Sequence, residues 1–485
     1  MRRFLHNREQ SCSNLKVKCA SLIPKFESIL GNEAVKSSNS VREQYSHDEC
    51  HHEGHSPDLV VIPKSVEEVS AIVKLCNENR VPIIPFGTGT GIEGGVVAIH
   101  GGVSIDLKGM DQVVEVNEED FDCVVQPGIT RVKLNEVLRE SGLFFSVDPG
   151  ADASVCGMIA TGASGTTSVR YGTIKNNTKN LEVVLADGSI LYTRGKDRRP
   201  WKSSAGYNLT DLFIGQEGTL GIITSACVHL HPRPQAFSAA VCGFKSIKSA
   251  IDAVVNIRQM AIPIARIEFL DEEQIKACNT YNEGKSEYLA ERHEECPTLF
   301  LEFHGATESE VEQQAITAEE ICTANNGRKF KWSLDSQEIH RLWSARHHAW
   351  YATIGTKKGS KGFSTDVCVP ISRLADVIVD TKKDLDEHGI FGTIVGHVGE
   401  GNFHVLLAVD EHNSDEMKQT WEFSDRLVKR ALEAHGTCTG EHGIGLGKRK
   451  YLEEEYGPVG FEVLKRLKHT FDPNNIMNPG KVIDM

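Results

Sequence analysis

The chain has 485 residues, 40% of them apolar and 25% charged, with a formal net charge of −14. That length predicts two or three domains, and the acidic balance excludes a nucleic-acid partner, which needs a basic face. No apolar run reaches the roughly 18 residues of a spanning helix, and thirteen cysteines without a CxxC pair exclude a disulfide framework in a chain this long.

Residues 1–26 carry Arg2, Arg3, Arg8, Lys16, Lys18 and Lys25 against one acid, Glu9. An Arg-rich, acid-poor terminus reads as a mitochondrial targeting segment. Residues 27–55 are polar and turn-rich and hold His47, His51, His52 and His55. Nothing nearby fixes a metal geometry, so a solvated lead-in is expected. Leu59–Pro63 then reads as a buried strand. Ser65 caps a helix to Asn79, with Glu68 three positions on and Val69, Ile72, Val73 and Cys76 at helical spacing. Pro82–Pro85 and Val103–Leu107 read as further strands, and Thr130 caps another helix.

Three glycine-rich segments punctuate this half: Gly87–Gly95, Asp148–Gly172 and GQEGTLGI from Gly215. Glycine lets backbone N–H groups approach a diphosphate with no Cβ in the way. In PFGTGTG the spacing lands on Ile92 where a dinucleotide fingerprint needs glycine, which argues against a Rossmann site. Three such segments together favour one long, diphosphate-containing cofactor over three unrelated turns. His231-Pro232-Arg233-Pro234 marks a boundary. Beyond it the amphipathic runs 247–260, 308–326, 371–388 and 414–435 alternate with strand-like runs such as Thr298–Phe303. The pattern predicts an α+β domain with an antiparallel sheet.

His397 and His404 bracket VGEGNF between two strand-like flanks. A tight turn there sets two imidazoles roughly opposite each other, two thirds of a divalent metal site. Glu441, beside His442 in a second glycine-rich turn, supplies a carboxylate; Glu400 is a rival at the hairpin tip. Two His and one Glu suit zinc, manganese or iron and leave positions open for substrate.

The order PFGTGTG, DPGADASVCGMIATGASG, GQEGTLGI resembles the FAD-binding domain of the vanillyl-alcohol oxidase/p-cresol methylhydroxylase fold. With HVGEGNFH, GEHGIG and FDPNNIMNPGK it resembles the metal-dependent D-2-hydroxy-acid dehydrogenases, and within them the D-lactate branch that passes electrons to a cytochrome. The match covers nearly everything after residue 55. It implies an α+β protein: a lead-in over 27–55, a two-part FAD domain over 56–233, a substrate and metal cap over 234–455, and a segment over 456–485 returning to the flavin. It assigns the cofactor to Gly87, Thr88, Gly89, Thr90, Gly91, Gly150, Asp152, Gly157, Gly162, Thr166, Ile222 and Asn478. The first loop has no histidine, so the FAD is expected to be non-covalent. His442 is the implied base, Arg346 the carboxylate clamp, and Trp350 lines the pocket. The hydroxyglutarate branch carries a Lys and an Asn where Ser364 and Leu406 stand here, which tilts the substrate towards lactate. The competing readings are a D-2-hydroxyglutarate or broad D-2-hydroxy-acid dehydrogenase, an oxidase, and a non-catalytic flavin electron-transfer subunit. The expected partners are a small D-2-hydroxy acid and cytochrome c or another acceptor. Peripheral membrane contact stays open.

Overall fold

The computed structural model describes residues 2–283 and 291–485, with side chains described from residue 15 onward. The chain forms two compact units. The first comprises 1–164, 173–232 and 441–485; the second comprises 165–172 and 233–440. Among the described residues, no helix is long and apolar enough to cross a membrane.

The first unit opens with α1 (Arg2–Leu30) and carries two sheets. One sheet has the order β1 (Val35–Lys36), β2 (Leu59–Val61), β4 (Val103–Asp106), β3 (Ile83–Phe86). Its strands β2, β4 and β3 run parallel, with β1 antiparallel to β2, and α2 (Val66–Asn79) is the crossover between β2 and β3. Ser65 caps α2 as its sequence predicts, its hydroxyl accepting the Glu68 N–H while the Glu68 carboxylate accepts from Lys64 N–H. The other sheet is antiparallel, with the order β5 (Val113–Asn117), β6 (Asp122–Val125), β9 (Ile222–His229), β7 (Thr178–Val184), β8 (Ile190–Tyr192). Against it lie α3 (Arg131–Val137), capped by Thr130, and α4 (Val155–Thr161).

Two details depart from the sequence reading. The segment 1–26, read from sequence as a targeting segment, packs into the fold over its second half: Cys19, Leu22 and Phe26 are buried in the core formed by β2, β3, β4 and α2. Three apolar faces on successive helical turns bury against that sheet more favourably than they sit in water. The side chains of Arg2, Arg3, Arg8 and Glu9 lie outside the described residues. The lead-in is also only partly solvated. His47 and His55 are exposed, but His51 and His52 are half-buried with rings 4.4 Å apart. Burial pulls their pKa values down to about 3 and about 4, so both are neutral.

The second unit is built on one antiparallel sheet with the order β13 (Gly327–Ser333), β10 (Ala236–Phe244), β12 (Thr298–Gly305), β11 (Ile264–Leu270), β15 (Thr393–Gly396), β16 (Asn402–Val409), β14 (Lys361–Ser364). Its main helices are α5 (Ile247–Gln259), α6 (Glu308–Ala324), α7 (Ser336–His347), α8 (Ile371–Glu387) and α9 (Ser414–Glu433). Four of them fall on the four amphipathic runs. The short helix Ser168–Tyr171 belongs to this unit, because Arg170 donates to the carbonyls of Pro263 and His304.

Residues 441–485 return to the first unit through α10 (Leu452–Phe471), interrupted at Gly457. The boundary lies at 440/441, earlier than the expected 455/456. The reason is polar: the Glu217 carboxylate accepts the N–H groups of Ile444 and Gly445. Farther along, buried Lys468 donates to Asp472 and to the carbonyls of Thr219 and Met477. Asp472 in turn accepts from the N–H groups of Ile476 and Met477. Lys468→Met leaves a fully buried carboxylate without its cation, so a loss of about 3–5 kcal/mol in unfolding free energy is expected. Chemical denaturation measures it; an unchanged midpoint contradicts this bracket.

Candidate active site

In the first unit the three glycine-rich segments converge. The first loop leaves β3 at Phe86. A Cβ on Gly87 would lie 2.7 Å from the Ser154 hydroxyl, and a Cβ on Gly157 would lie 2.6 Å from it. The Ser154 N–H donates to the Thr88 hydroxyl at 3.3 Å, and the hydroxyls of Thr88 and Thr90 are 3.1 Å apart. The Ser154 hydroxyl itself is buried and has no hydrogen-bond partner among the described residues. The first two loops therefore meet across a single small side chain, with backbone closely approached at both glycines. Gly162, at φ +74°, closes α4, and a Cβ there would lie 3.7 Å from Gly215 Cα. The N–H groups of Gly215 and Glu217 donate to the carbonyls of Ile159 and Ala160, which ties the third loop to the second. Asn478 brackets the set, its amide donating to the carbonyls of Gly95 (2.9 Å) and Glu217 (2.7 Å). A close-packed glycine cradle holding an unsatisfied buried hydroxyl fits a diphosphate-containing group.

The other residues assigned to the cofactor sit differently. Gly150 is exposed, with open space around its Cα. Exposed Asp152 accepts the Val132 N–H at the start of α3. Ile222 is a core residue paired with Val184. Thr166 belongs to the second unit.

The turn carrying Glu441 and His442 lies at the start of the returning segment. Ser164 donates its hydroxyl to the Glu441 carboxylate at 2.5 Å. Just beyond, the Glu217 carboxylate accepts the N–H groups of Ile444 (2.6 Å) and Gly445 (2.9 Å). Burial pushes the Glu217 carboxyl up to about 7 against those two donors. Gly445 is at φ +48°, and a Cβ there would lie 2.0 Å from the Glu93 carbonyl oxygen, so only glycine fits.

In the second unit β15 and β16 form a hairpin that pairs Val395 with His404 and Ile394 with Val405, so His397 lies two residues past the position opposite His404 rather than across from it as the sequence suggests. The His397 and His404 rings lie 5.6 Å apart at 84°. Each Nδ1 is engaged within the unit: that of His397 with the Glu268 carboxylate at 2.7 Å, that of His404 with the Thr365 carbonyl at 3.1 Å. With Nδ1–H donating to an acceptor in both rings, the lone pair of each imidazole sits on Nε2, the tautomer that a metal ligand needs. Glu268 is fully buried and also accepts from Arg346 Nε at 2.7 Å. Burial alone would raise its pKa, but His397 and Arg346 hold the carboxyl below the usual range.

Buried Asp366 organises the surroundings. It accepts from the Asn402 amide, the Thr439 hydroxyl and the Gly440 N–H, each at 2.7 Å. The residue bonded to Gly440 is Glu441. Ser364 and Leu406 are register partners across β14 and β16. Trp350 packs its ring on Gly362, where a Cβ would lie 2.3 Å away, and belongs to the edge of a core cluster around Trp343.

Residues 57–194 match the family model described as FAD binding domain, and 233–482 match that of the FAD linked oxidases, C-terminal domain. The chain belongs to the FAD-linked oxidase family. As a family member it is an FAD-dependent oxidoreductase. It is 55% identical over 464 residues to a probable mitochondrial D-lactate dehydrogenase of Danio rerio, covering 96% of this chain and 92% of that one. It is 44% identical to a mitochondrial D-lactate dehydrogenase [cytochrome] of Arabidopsis thaliana, covering 88% of this chain and 73% of that one. The solved structure of p-cresol methylhydroxylase superposes with a TM-score of 0.78 at 20% identity, covering 96% of this chain and 97% of that one. The fold of this FAD-linked oxidase is thus the two-domain, α+β flavoprotein fold of p-cresol methylhydroxylase, and its relatives mark it as mitochondrial.

Four site residues of this FAD-linked oxidase escaped the sequence reading: Ser154, Ser164, Glu217 and Glu268. Glu268 alone left a signal, a carboxylate inside the apolar run of β11. A buried charge demands a partner, but the run does not say which.

Proposed function

We propose that this chain oxidises D-lactate to pyruvate and passes the electrons to cytochrome c or another acceptor. FAD would supply the hydride acceptor and a divalent cation (zinc, manganese or iron) the Lewis acidity at the substrate hydroxyl. The flavin is held without a covalent bond by the cradle of Gly87–Gly91, Gly157 and Gly162. His397, His404 and Glu441 form the ligand set for the cation. Arg346 takes the substrate carboxylate: Glu268 grips its Nε, and the planar fork beyond suits a bidentate acid. His442 takes the hydroxyl proton at its imidazole.

The register pair Ser364–Leu406 carries the choice of substrate. A hydroxyl already donating to the Thr365 carbonyl and an isobutyl group offer nothing to a second carboxylate, whereas a methyl group is left undisturbed. An unpaired charged group costs about 1–3 kcal/mol or more, which is roughly 10–100-fold in kcat/KM. The test is turnover of purified flavoprotein with an artificial electron acceptor. D-Lactate is expected to exceed D-2-hydroxyglutarate by at least about tenfold in kcat/KM. The reverse order overturns the substrate assignment, and protein that stays colourless with added FAD overturns the whole reading.

A further inference from the structure

Arg266 and Glu268 are charged positions two apart on β11, an otherwise apolar strand in the middle of the second unit's sheet. They serve different partners. Arg266 pairs with Glu302 at 2.9 Å and stacks its guanidinium on Trp343. Glu268 divides its two oxygens: Oε1 accepts from His397 Nδ1 and Oε2 from Arg346 Nε, both at 2.7 Å. A single buried carboxylate therefore joins a proposed cation ligand on a hairpin to the proposed substrate clamp on α7. His404, the companion ligand, bonds the neutral Thr365 carbonyl at 3.1 Å, with the Asp366 carboxylate farther from its Nδ1 at 3.5 Å. The two imidazoles are not equivalent, because a carboxylate bonded closely to Nδ1–H raises the basicity of Nε2 far more than an amide oxygen does.

We infer that Glu268 is a positioning residue that sets both the cation affinity of His397 and the aim of Arg346 at the substrate carboxylate. The inference rests on the metal and clamp assignments proposed above and goes beyond them in two ways. It ranks His397 as the stronger imidazole ligand. It also makes cation affinity and substrate affinity share one residue that touches neither ligand. Charge is the active ingredient. Glutamine keeps the length but has a single acceptor oxygen; its NH2 only donates, so one of the two N–H groups, His397 Nδ1 or Arg346 Nε, loses its acceptor and the other bonds a neutral amide oxygen. Aspartate keeps the charge but falls a methylene short of spanning both partners.

The experiment compares wild type with Glu268→Gln as metal-stripped flavoproteins. Zn2+ affinity is measured by competition with a chromogenic chelator, alongside flavin content and the KM and kcat for D-lactate in the reloaded enzyme. Zinc suits as the probe because it binds nitrogen and oxygen sites more tightly than manganese or iron. The expected result is a Zn2+ dissociation constant raised about 10–100-fold, a KM raised with it, and flavin content unchanged. A wild type that binds no zinc overturns the metal assignment, and this inference falls with it. A wild type that binds zinc beside a Glu268→Gln that binds it equally overturns this inference alone. If the glutamine variant yields no soluble flavoprotein, Glu268→Asp takes its place. A dissociation constant raised at least about threefold there supports the inference, and one equal to wild type overturns it.

Discussion

His404→Ala is expected to lower kcat/KM for D-lactate by about a thousandfold or more, a loss of about 4 kcal/mol of transition-state stabilisation, while flavin content stays at the wild-type level. His404 is a middle residue of β16, and its backbone pairing with Val395 does not depend on its side chain. Its ring is buried and bonds the Thr365 carbonyl, a neutral acceptor on the neighbouring segment. The hairpin should therefore form with a cavity in place of one ligand. The glycine cradle belongs to the other unit and shares no residue with this hairpin. Metal analysis of the same preparation should show bound metal falling with activity. Full activity in this variant would remove the cation from the mechanism.

Gly401→Ala is expected to destabilise the protein by about 2–4 kcal/mol, more than any neighbouring surface substitution. Gly401 turns the chain at φ +88°, and a Cβ there would lie 2.0 Å from the Val369 carbonyl oxygen. The positive φ alone costs an alanine about 1 kcal/mol or more. The overlap adds to this because the obstacle is main chain, fixed by the bond from Val369 N–H to the Gly401 carbonyl. Relief requires the tip to move away from residues 369–371, and His397 and His404 stand at either end of that tip. Reduced metal content should accompany the lower denaturation midpoint. An alanine variant as stable as wild type would contradict the turn described here.

The sequence made local features legible and left their partners hidden. The helix from Ser65 to Asn79 appears as α2 with its cap intact, because a cap and its acceptor lie three residues apart. The four amphipathic runs of the second half are helices and the histidine hairpin forms, because each is governed by periodicity or by a short turn, although Val395 and not His397 stands opposite His404. The partner of His397 lies 129 positions away and that of Ile444 lies 227 positions away. No period or spacing reaches so far. The expected boundary near 455 failed for the same reason: helix and loop composition do not change there, and what assigns residues 441–455 to the first unit is Glu217 gripping two amides. His51 and His52 read as solvated because polar composition is a surface signal, whereas a fold can cover a polar stretch wherever the rings stay neutral.

The bracket at Asn478 has a bearing on how the protein is made. Its amide holds Gly95, 383 positions earlier, and Lys481 holds the carbonyl of Val97 across 384. The ribosome delivers the first glycine loop early and the two residues that fasten it far later. During synthesis the carbonyls of Gly95 and Val97 wait for partners that emerge 383 and 384 positions later. A nascent chain stalled before residue 478 therefore carries its first glycine loop without the two side chains that fasten it, and protease should cut that loop more readily than in the folded protein.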